Sequence, residues 1–357
     1  MDRRPTIYDV ARAAGVAAST VSRAFARPGR VKAETATRIF EVAELLGYRS
    51  TALPGLVSTR TATLALVVTD ITNPFYADII HGAHEAAHAL GYTVLLSHTQ
   101  EDAQREREWT ERELSAVEGV LLASSRMSDS AIRMMAKQKP VVVLNRRLPE
   151  VPCIFVDNAR GMRRALEHLT ELGHDAVTYV AGPEASWTDG RRWLALREAA
   201  VELDVHVRRI GPCNTPTVQA GFGRAREVVE ASSTAVIGYN DAVAIGVVKG
   251  LTRLGVAVPD EVSVVGFDNT LLADIIEPEL TTVAAPLHAM GATAVRNLVA
   301  MIGGAVPSHE PIVMPARLVV RRSTAQRSRN RTSPAFGTTR VSSSASSAAR
   351  SIESGSR

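Results

Sequence analysis

From residue 64 onward, short β-branched or Leu-rich runs alternate with segments of helical character, and this alternation constrains the fold more than anything else in the chain. The runs occupy residues 64–69, 92–97, 119–123, 141–144, 176–181, 235–238 and 262–267. A strand with one wet face alternates apolar and polar residues, whereas a nearly continuous apolar strand is covered on both faces. Strands of that kind separated by helices predict parallel sheets with helices on either side. Spread over about 260 residues, the pattern exceeds one ordinary sheet and predicts two doubly wound α/β lobes. In such lobes ligands bind at the carboxyl ends of the strands. The segments after residues 69, 181, 238 and 267 are therefore where a binding site is expected.

Residues 6–48 have a different texture and read as three short helices. Thr6 and Asp9 have the spacing of a capping box, in which each side chain satisfies a backbone N–H at a helix start. Gly15 ends the first helix at about Ala14 by permitting a tight turn. A second helix covers about residues 18–26 and is broken by Arg27-Pro28-Gly29. A third spans about residues 34–46, with Ala36, Ile39, Phe40, Ala43 and Leu46 along one apolar stripe. Val10, Ala11 and Ala14 of the first helix are expected to pack on Val21 and Phe25 of the second. That packing leaves Ala18, Ser19, Ser22 and Arg23 outward. Two helices joined by a short Gly-containing turn are the helix-turn-helix device, whose second helix enters the DNA major groove. An ordinary three-helix bundle with a basic surface has the same local pattern.

Charge is distributed unevenly, as for a chain that meets a polyanion at one or both ends. Residues 1–60 carry ten Lys or Arg against five Asp or Glu, and residues 321–357 carry eight against one. The middle carries 23 against 31, so the net charge of +4 hides two basic ends around an acidic body. The final stretch, from about residue 326, is rich in Ser, Ala and Arg and has too little apolar surface to offset ordering entropy. The expected organisation is a headpiece (1–48), a linker (49–62), a two-lobed body (63–325) and a disordered basic tail (326–357).

Other classes fit less well. Aromatic residues supply only 4% of the chain, so the cores are aliphatic. The opening Met1-Asp2-Arg3-Arg4-Pro5 has no apolar stretch behind its charges, and the longest apolar runs are strand-sized. A cytoplasmic protein without a membrane segment is expected. Cys153 and Cys213 provide neither a disulfide framework nor metal-ligand spacing. His81, His84 and His88 fall at i, i+3 and i+7 on one predicted helix face, and read as a polar surface or subunit contact. No metal or cofactor is expected. Neither a phosphate-binding loop, a nucleophile elbow nor a pair of catalytic carboxylates at a recognisable spacing appears, so no enzyme is expected.

Residues 6–23, TIYDVARAAGVAASTVSR, resemble the headpiece signature of the lactose/galactose repressor (LacI/GalR) family. The resemblance continues to about Ser323. It includes Thr72-Asn73-Pro74-Phe75-Tyr76, Leu172-Gly173-His174, Asn240-Asp241, residues 258–268 (VPDEVSVVGFD) and Leu280-Thr281-Thr282. It implies a helix-turn-helix headpiece, a hinge helix and two periplasmic-binding-protein-like lobes, acting as a homodimer on a near-palindromic double-stranded DNA operator. By motif, Ala18, Ser19 and Arg23 would approach bases, while Thr6, Tyr8, Thr20, Ser22 and Arg30 would lie near phosphates. Phe75, Tyr76, Thr188, Arg192, Asn240 and Asp268 would line a pocket for a small-molecule effector, either a sugar or a nucleoside-like metabolite. Bidentate polar groups beside aromatic faces suit such a ligand. A purely structural role, in which Asn240 and Asp268 cap helices and turns, stays open on residue types alone.

Two departures from the family pattern stand out. Ala17 replaces the Ser usually found before the recognition helix, and a lost cap costs about 1 kcal/mol. The stretch matching the hinge helix reads Pro54-Gly55-Leu56-Val57. Pro and Gly are the poorest interior helix residues, by about 3 and 1 kcal/mol relative to Ala. A weaker, reshaped hinge is expected, with Val57 as the minor-groove wedge. Three other classes share part of this pattern: a periplasmic solute-binding protein, an enzyme on the same fold, and a DNA-binding relative without an effector.

Overall fold

The computed structural model describes residues 5–26, 31–46, 48 and 61–327. Arg27-Pro28-Gly29, Arg30, the hinge stretch with Val57 and the tail beyond Arg327 lie outside the described residues.

The headpiece consists of α1 (Ile7–Ala14), α2 (Ala18–Ala26) and α3 (Ala33–Leu45). The capping box forms as its spacing predicts. The Thr6 N–H and hydroxyl both donate to Asp9 Oδ2, at 2.8 and 2.6 Å. Gly15 adopts φ 66°, a conformation that costs a residue with a Cβ but not glycine. Val10, Val21, Ala24 and Ile39 are fully buried at the centre of the three helices. The expected stripe of α3 holds through Ala36, Ile39 and Ala43, but Leu46 is 40% exposed. It lies just past the end of α3 and misses the core. Phe40 and Phe25 are half-buried and meet edge to face, with ring centroids 5.1 Å apart.

In chain order the body begins β1 (Thr63–Val68), α4 (Phe75–Ala89), β2 (Thr93–His98), α5 (Ala103–Glu113), β3 (Gly119–Ala123), α6 (Asp129–Ala136), β4 (Val141–Leu144) and β5 (Cys153–Val156). It continues with α7 (Asn158–Glu171), β6 (Ala176–Val180), α8 (Trp187–Leu203), β7 (His206–Ile210), α9 (Val218–Glu230), β8 (Ala235–Gly238) and α10 (Asp241–Arg253). Last come β9 (Ser263–Asp268), α11 (Leu271–Ile275), β10 (Thr281–Ala284), α12 (Leu287–Ile302), β11 (Ile312–Met314) and β12 (Arg317–Val319).

Two six-stranded sheets result, in the orders β11-β5-β4-β3-β1-β2 and β12-β10-β9-β8-β6-β7. Every pairing is parallel except that of β10 with β12. The chain passes between the lobes three times. β5 leads into α7, which packs on α8 and β10; β10 leads back into α12, which packs on α4 and β3; β11 leads into β12. Each central strand feeds both faces of its sheet. Leu64, Leu66 and Val68 of β1 enter one buried cluster, while Ala65 and Val67 enter another. That two-sided burial is the physical reason for the unbroken apolar runs.

The seven strands expected from sequence all form, each within one residue of its predicted ends. Five others carry weaker signals. β7 is an edge strand whose His206, Arg208 and Arg209 are exposed, and β11 and β12 are three residues long. β5 and β10 are four-residue strands. The last described residues pack on the second lobe. The Ala325 carbonyl lies 3.1 Å from His174 Nε2, and Arg327 N donates to the Leu172 carbonyl at 2.8 Å.

Candidate functional site

The headpiece presents α2 with Ser19, Ser22 and Arg23 exposed. Arg23 Nε donates back to the Ser19 carbonyl at 3.3 Å, holding the stem along the helix. Thr6, Ala18 and Thr20 are half-buried, and Tyr8 is 68% exposed beside them. Ala18 therefore contributes partly to the headpiece core and not only to its surface. The Ala17 carbonyl accepts from Thr20 N and Val21 N at 2.8 and 3.2 Å, but its methyl side chain has no oxygen with which to cap α2.

The second site lies between the lobes. Phe75, Tyr76, Thr188, Arg192, Asn240 and Asp268 all line one cleft. The first two come from the start of α4, the next two from α8, and the last two from the ends of β8 and β9. Trp187 is half-buried and packs on Phe155 outside the lining. Asn240 has both of the roles that residue type left open. Its Oδ1 caps α10 through Val243 N at 2.9 Å, and the residue also lines the cleft.

Arg192 is the centre of the second lobe's wall. It is 4% exposed, yet each guanidinium nitrogen has a partner. Nε donates to Asn158 Oδ1 at 2.9 Å, a terminal nitrogen to the Tyr239 carbonyl, and the other to Asp268 Oδ1 at 3.3 Å. The guanidinium carbon sits 3.4 Å from the Phe267 ring centroid, in cation–π contact. Burial pushes the Asp268 carboxyl above the usual carboxylate range, Arg192 opposes that shift, and the Asp241 carboxylate adds to it. Asp241 is itself wholly buried and lies behind the wall. It accepts from Thr270 N at 2.6 Å and from the Thr270 hydroxyl at 3.0 Å.

The first lobe's wall contains a network that sequence reasoning missed. Glu101 receives Arg126 Nε and a terminal nitrogen, both at 2.6 Å from Oε2, and the Thr69 hydroxyl at 2.9 Å on Oε1. Thr69 also meets the Tyr76 hydroxyl at 2.7 Å. Burial pushes the Tyr76 hydroxyl far above the usual phenol range. The fully buried Glu106 anchors the loop behind it by accepting Arg126 N at 3.0 Å. Asn145 joins the lobes, because its carbonyl accepts the Thr188 hydroxyl at 3.0 Å. Thr69, Glu101, Arg126 and Asn145 follow β1, β2, β3 and β4 in turn, whose carboxyl ends converge on the cleft.

The backbone around the cleft is unusual. Glu101, Ser124, Asn145 and Asp268 line it with φ values of 61°, 61°, 57° and 114°. Non-glycine residues seldom adopt positive φ, and where they do the surrounding structure imposes it, often at ligand sites. The cavity left between the walls is about 20 Å³, room for about one water. A larger ligand requires the walls to part.

The two sites correspond to known families. Residues 6–50 match the family described as bacterial regulatory proteins, lacI family, and residues 166–324 match the periplasmic binding protein-like domain. Over 331 residues the chain is 32% identical to the HTH-type transcriptional regulator DegA of Bacillus subtilis (strain 168), covering 90% of this chain and 98% of that protein. The chain belongs to the lacI family of bacterial regulatory proteins. Another member, the HTH-type transcriptional repressor CytR of Escherichia coli (strain K12), is 30% identical over 330 residues, covering 89% of this chain and 96% of CytR. Among solved structures, the transcriptional regulator CelR in complex with cellobiose superimposes with a TM-score of 0.66 at 29% identity. That match covers 90% of this chain and all of CelR. As a lacI-family member the chain is a DNA-binding transcriptional regulator with an effector-binding domain. The relatives it matches are regulators and not enzymes. Among the described residues no helix is long and apolar enough to cross a membrane.

Proposed function

We propose that this lacI-family regulator is a cytoplasmic repressor that binds near-palindromic operator DNA as a homodimer, and that a sugar or sugar-like metabolite held between its lobes sets its DNA affinity. Residues 1–48 read the operator, 49–62 form the hinge, 63–325 bind effector and partner subunit, and 326–357 form a basic tail. In the headpiece, Ala18, Ser19 and Arg23 meet base edges, while Thr6, Tyr8, Thr20, Ser22 and Arg30 meet phosphates. This division is what the resemblance to the family's headpiece motif implies, with the phosphate contacts positioning the helix and the base contacts specifying the site. Val57 is the minor-groove wedge of a hinge weakened by Pro54 and Gly55.

The observation that carries the effector half is the convergence of Phe75, Tyr76, Thr188, Arg192, Asn240 and Asp268 from both lobes on one cleft with about 20 Å³ of space. A ligand there touches both lobes and separates them, so it binds one lobe arrangement better than another. Only such differential affinity shifts a conformational equilibrium, and a coupling of about 1–3 kcal/mol changes DNA affinity about 5–150-fold. A neutral polyhydroxylated ligand suits walls whose cations already face their own carboxylates, Arg126 on Glu101 and Arg192 on Asp268.

The test is direct. Purified protein is incubated with fragmented genomic DNA from its source, and the bound fraction is sequenced. Enrichment of one near-palindromic site is expected, and fluorescence anisotropy on that site then changes with a member of a sugar and nucleoside panel. Equal affinity for random DNA would overturn the operator reading. A site whose affinity no panel member alters, together with no thermal shift by any of them, would overturn the effector reading.

A further inference from the structure

α4 and α12 lie side by side on the first lobe and approach as closely as backbones permit. A Cβ at Gly82 would lie 2.0 Å from the His288 carbonyl oxygen, and one at Gly291 would lie 2.1 Å from the Ile79 carbonyl oxygen. Only glycine fits at either position, so the contact fixes how the outer side chains of the two helices face each other. On that outer rim Glu85 stands between two imidazoles. His81 Nε2 lies 3.0 Å from Glu85 Oε1, and His288 Nε2 lies 2.9 Å from Glu85 Oε2. The two imidazole rings meet edge to face, with centroids 5.1 Å apart. The three side chains are about half exposed and accessible from solvent.

We propose that His81, Glu85 and His288 form a binding site for a transition-metal dication of the zinc class. One ligand atom from each residue lies within 4.8 Å of the others. Four-coordinate zinc takes imidazole nitrogen and carboxylate oxygen at about 2.0–2.2 Å, and the edges of such a tetrahedron are about 3.4 Å. Small side-chain rotations bring the observed separations onto that shell. Two imidazoles and one carboxylate suit Zn²⁺, Co²⁺ or Ni²⁺, whereas Ca²⁺ and Mg²⁺ demand oxygen ligands. Three protein ligands leave a fourth position for water or an incoming donor. The site lies apart from the interlobe cleft, none of whose lining residues it shares. A bound ion staples α4 to α12, joining residues 203 positions apart in the chain, and so stabilises the first lobe.

A rival exists on α4 alone, because His84 and His88 have the i, i+4 spacing of a two-imidazole clamp. Isothermal titration of the metal-free full-length protein with ZnCl₂ distinguishes the two. One Zn²⁺ per chain is expected in the wild type, with four-coordinate visible absorption when Co²⁺ replaces it. H288Q is expected to weaken binding at least about tenfold, since even outer-shell partners of a metal contribute about 10–100-fold. Zn²⁺ should raise the melting temperature of the wild type but not of H288Q, whose metal-free melting temperature is expected to match the wild type. The H84Q/H88Q double variant should bind like the wild type. The proposal is overturned by absence of saturable binding, by binding that survives H288Q, or by binding lost in H84Q/H88Q.

Discussion

Replacing Arg192 by Met tests the energetics of the cleft most sharply. Methionine keeps the apolar stem but removes three donors and the only cation bonded to Asp268 among the described residues. Asp268 is 6% exposed, too buried for water to take the place of the lost guanidinium. Removing one partner of a buried pair costs about 3–5 kcal/mol, because the other charge is left uncompensated. The carboxyl has one escape, which is to take a proton. Burial and Asp241 already push its pKa up, and Arg192 is what opposes them. In R192M the folded-state pKa therefore rises further above the unfolded value of about 4. A carboxyl whose folded pKa is raised contributes stability that is present below its unfolded pKa and is lost as pH rises through the folded pKa. Each unit between the two values is worth about 1.4 kcal/mol.

Burial already pushes the wild-type carboxyl up to about 8, so below that pH it is protonated with or without Arg192 and the deficit of R192M is smallest. The deficit grows as pH rises through about 8 towards the higher folded pKa of R192M, approaching about 3–5 kcal/mol. At about 2–4 °C per kcal/mol for a unit of this size, the melting temperature then falls by about 6–20 °C. Thermal unfolding followed by circular dichroism at pH 5, 7 and 9.5 measures this for wild type, R192M, D268N and the double variant. Asn at position 268 keeps an acceptor without the charge, so the double variant should recover much of the loss and show no growth of the deficit with pH. A deficit equal at pH 5 and pH 9.5 would refute the argument. So would a double variant as unstable at pH 9.5 as R192M.

Two further outcomes follow from the same geometry. Gly291→Ala sets a methyl carbon 2.1 Å from a backbone carbonyl that cannot swing aside. A loss of about 1–3 kcal/mol is expected, whereas Gly190→Ala, in open space on α8, should gain about 0.5–1 kcal/mol. Equal melting temperatures for the two variants would contradict the close packing of α4 on α12. Arg23→Ala should reduce the preference for the enriched operator over random DNA about tenfold to a hundredfold, as measured by competition anisotropy. An unchanged preference would remove α2 from the role of reading helix.

Much of the framework was legible in the sequence because its signals are short-ranged. Thr6 and Asp9 are three residues apart and close their capping box without help from the rest of the chain. The strands beginning at Thr63 and Gly119 are apolar on both faces and announce their burial in any context. Edge strand β7 could not be seen this way, since one neighbour and one wet face leave its arginines at no cost to the core.

Sequence alone determined that a helical headpiece precedes two parallel α/β lobes. Through resemblance, it also named six residues that now lie together in one cleft. Only the tertiary structure decided what faces them. Glu101 and Arg126 meet across 25 positions, and Thr188 reaches the Asn145 carbonyl across 43. His288 joins Glu85 across 203 positions, after the chain has built all of the second sheet except its edge strand β12. Caps and periodicity are written in neighbouring residues. Ion pairs and ligand cages depend on where three crossings between lobes bring distant loops to rest, which no local pattern encodes.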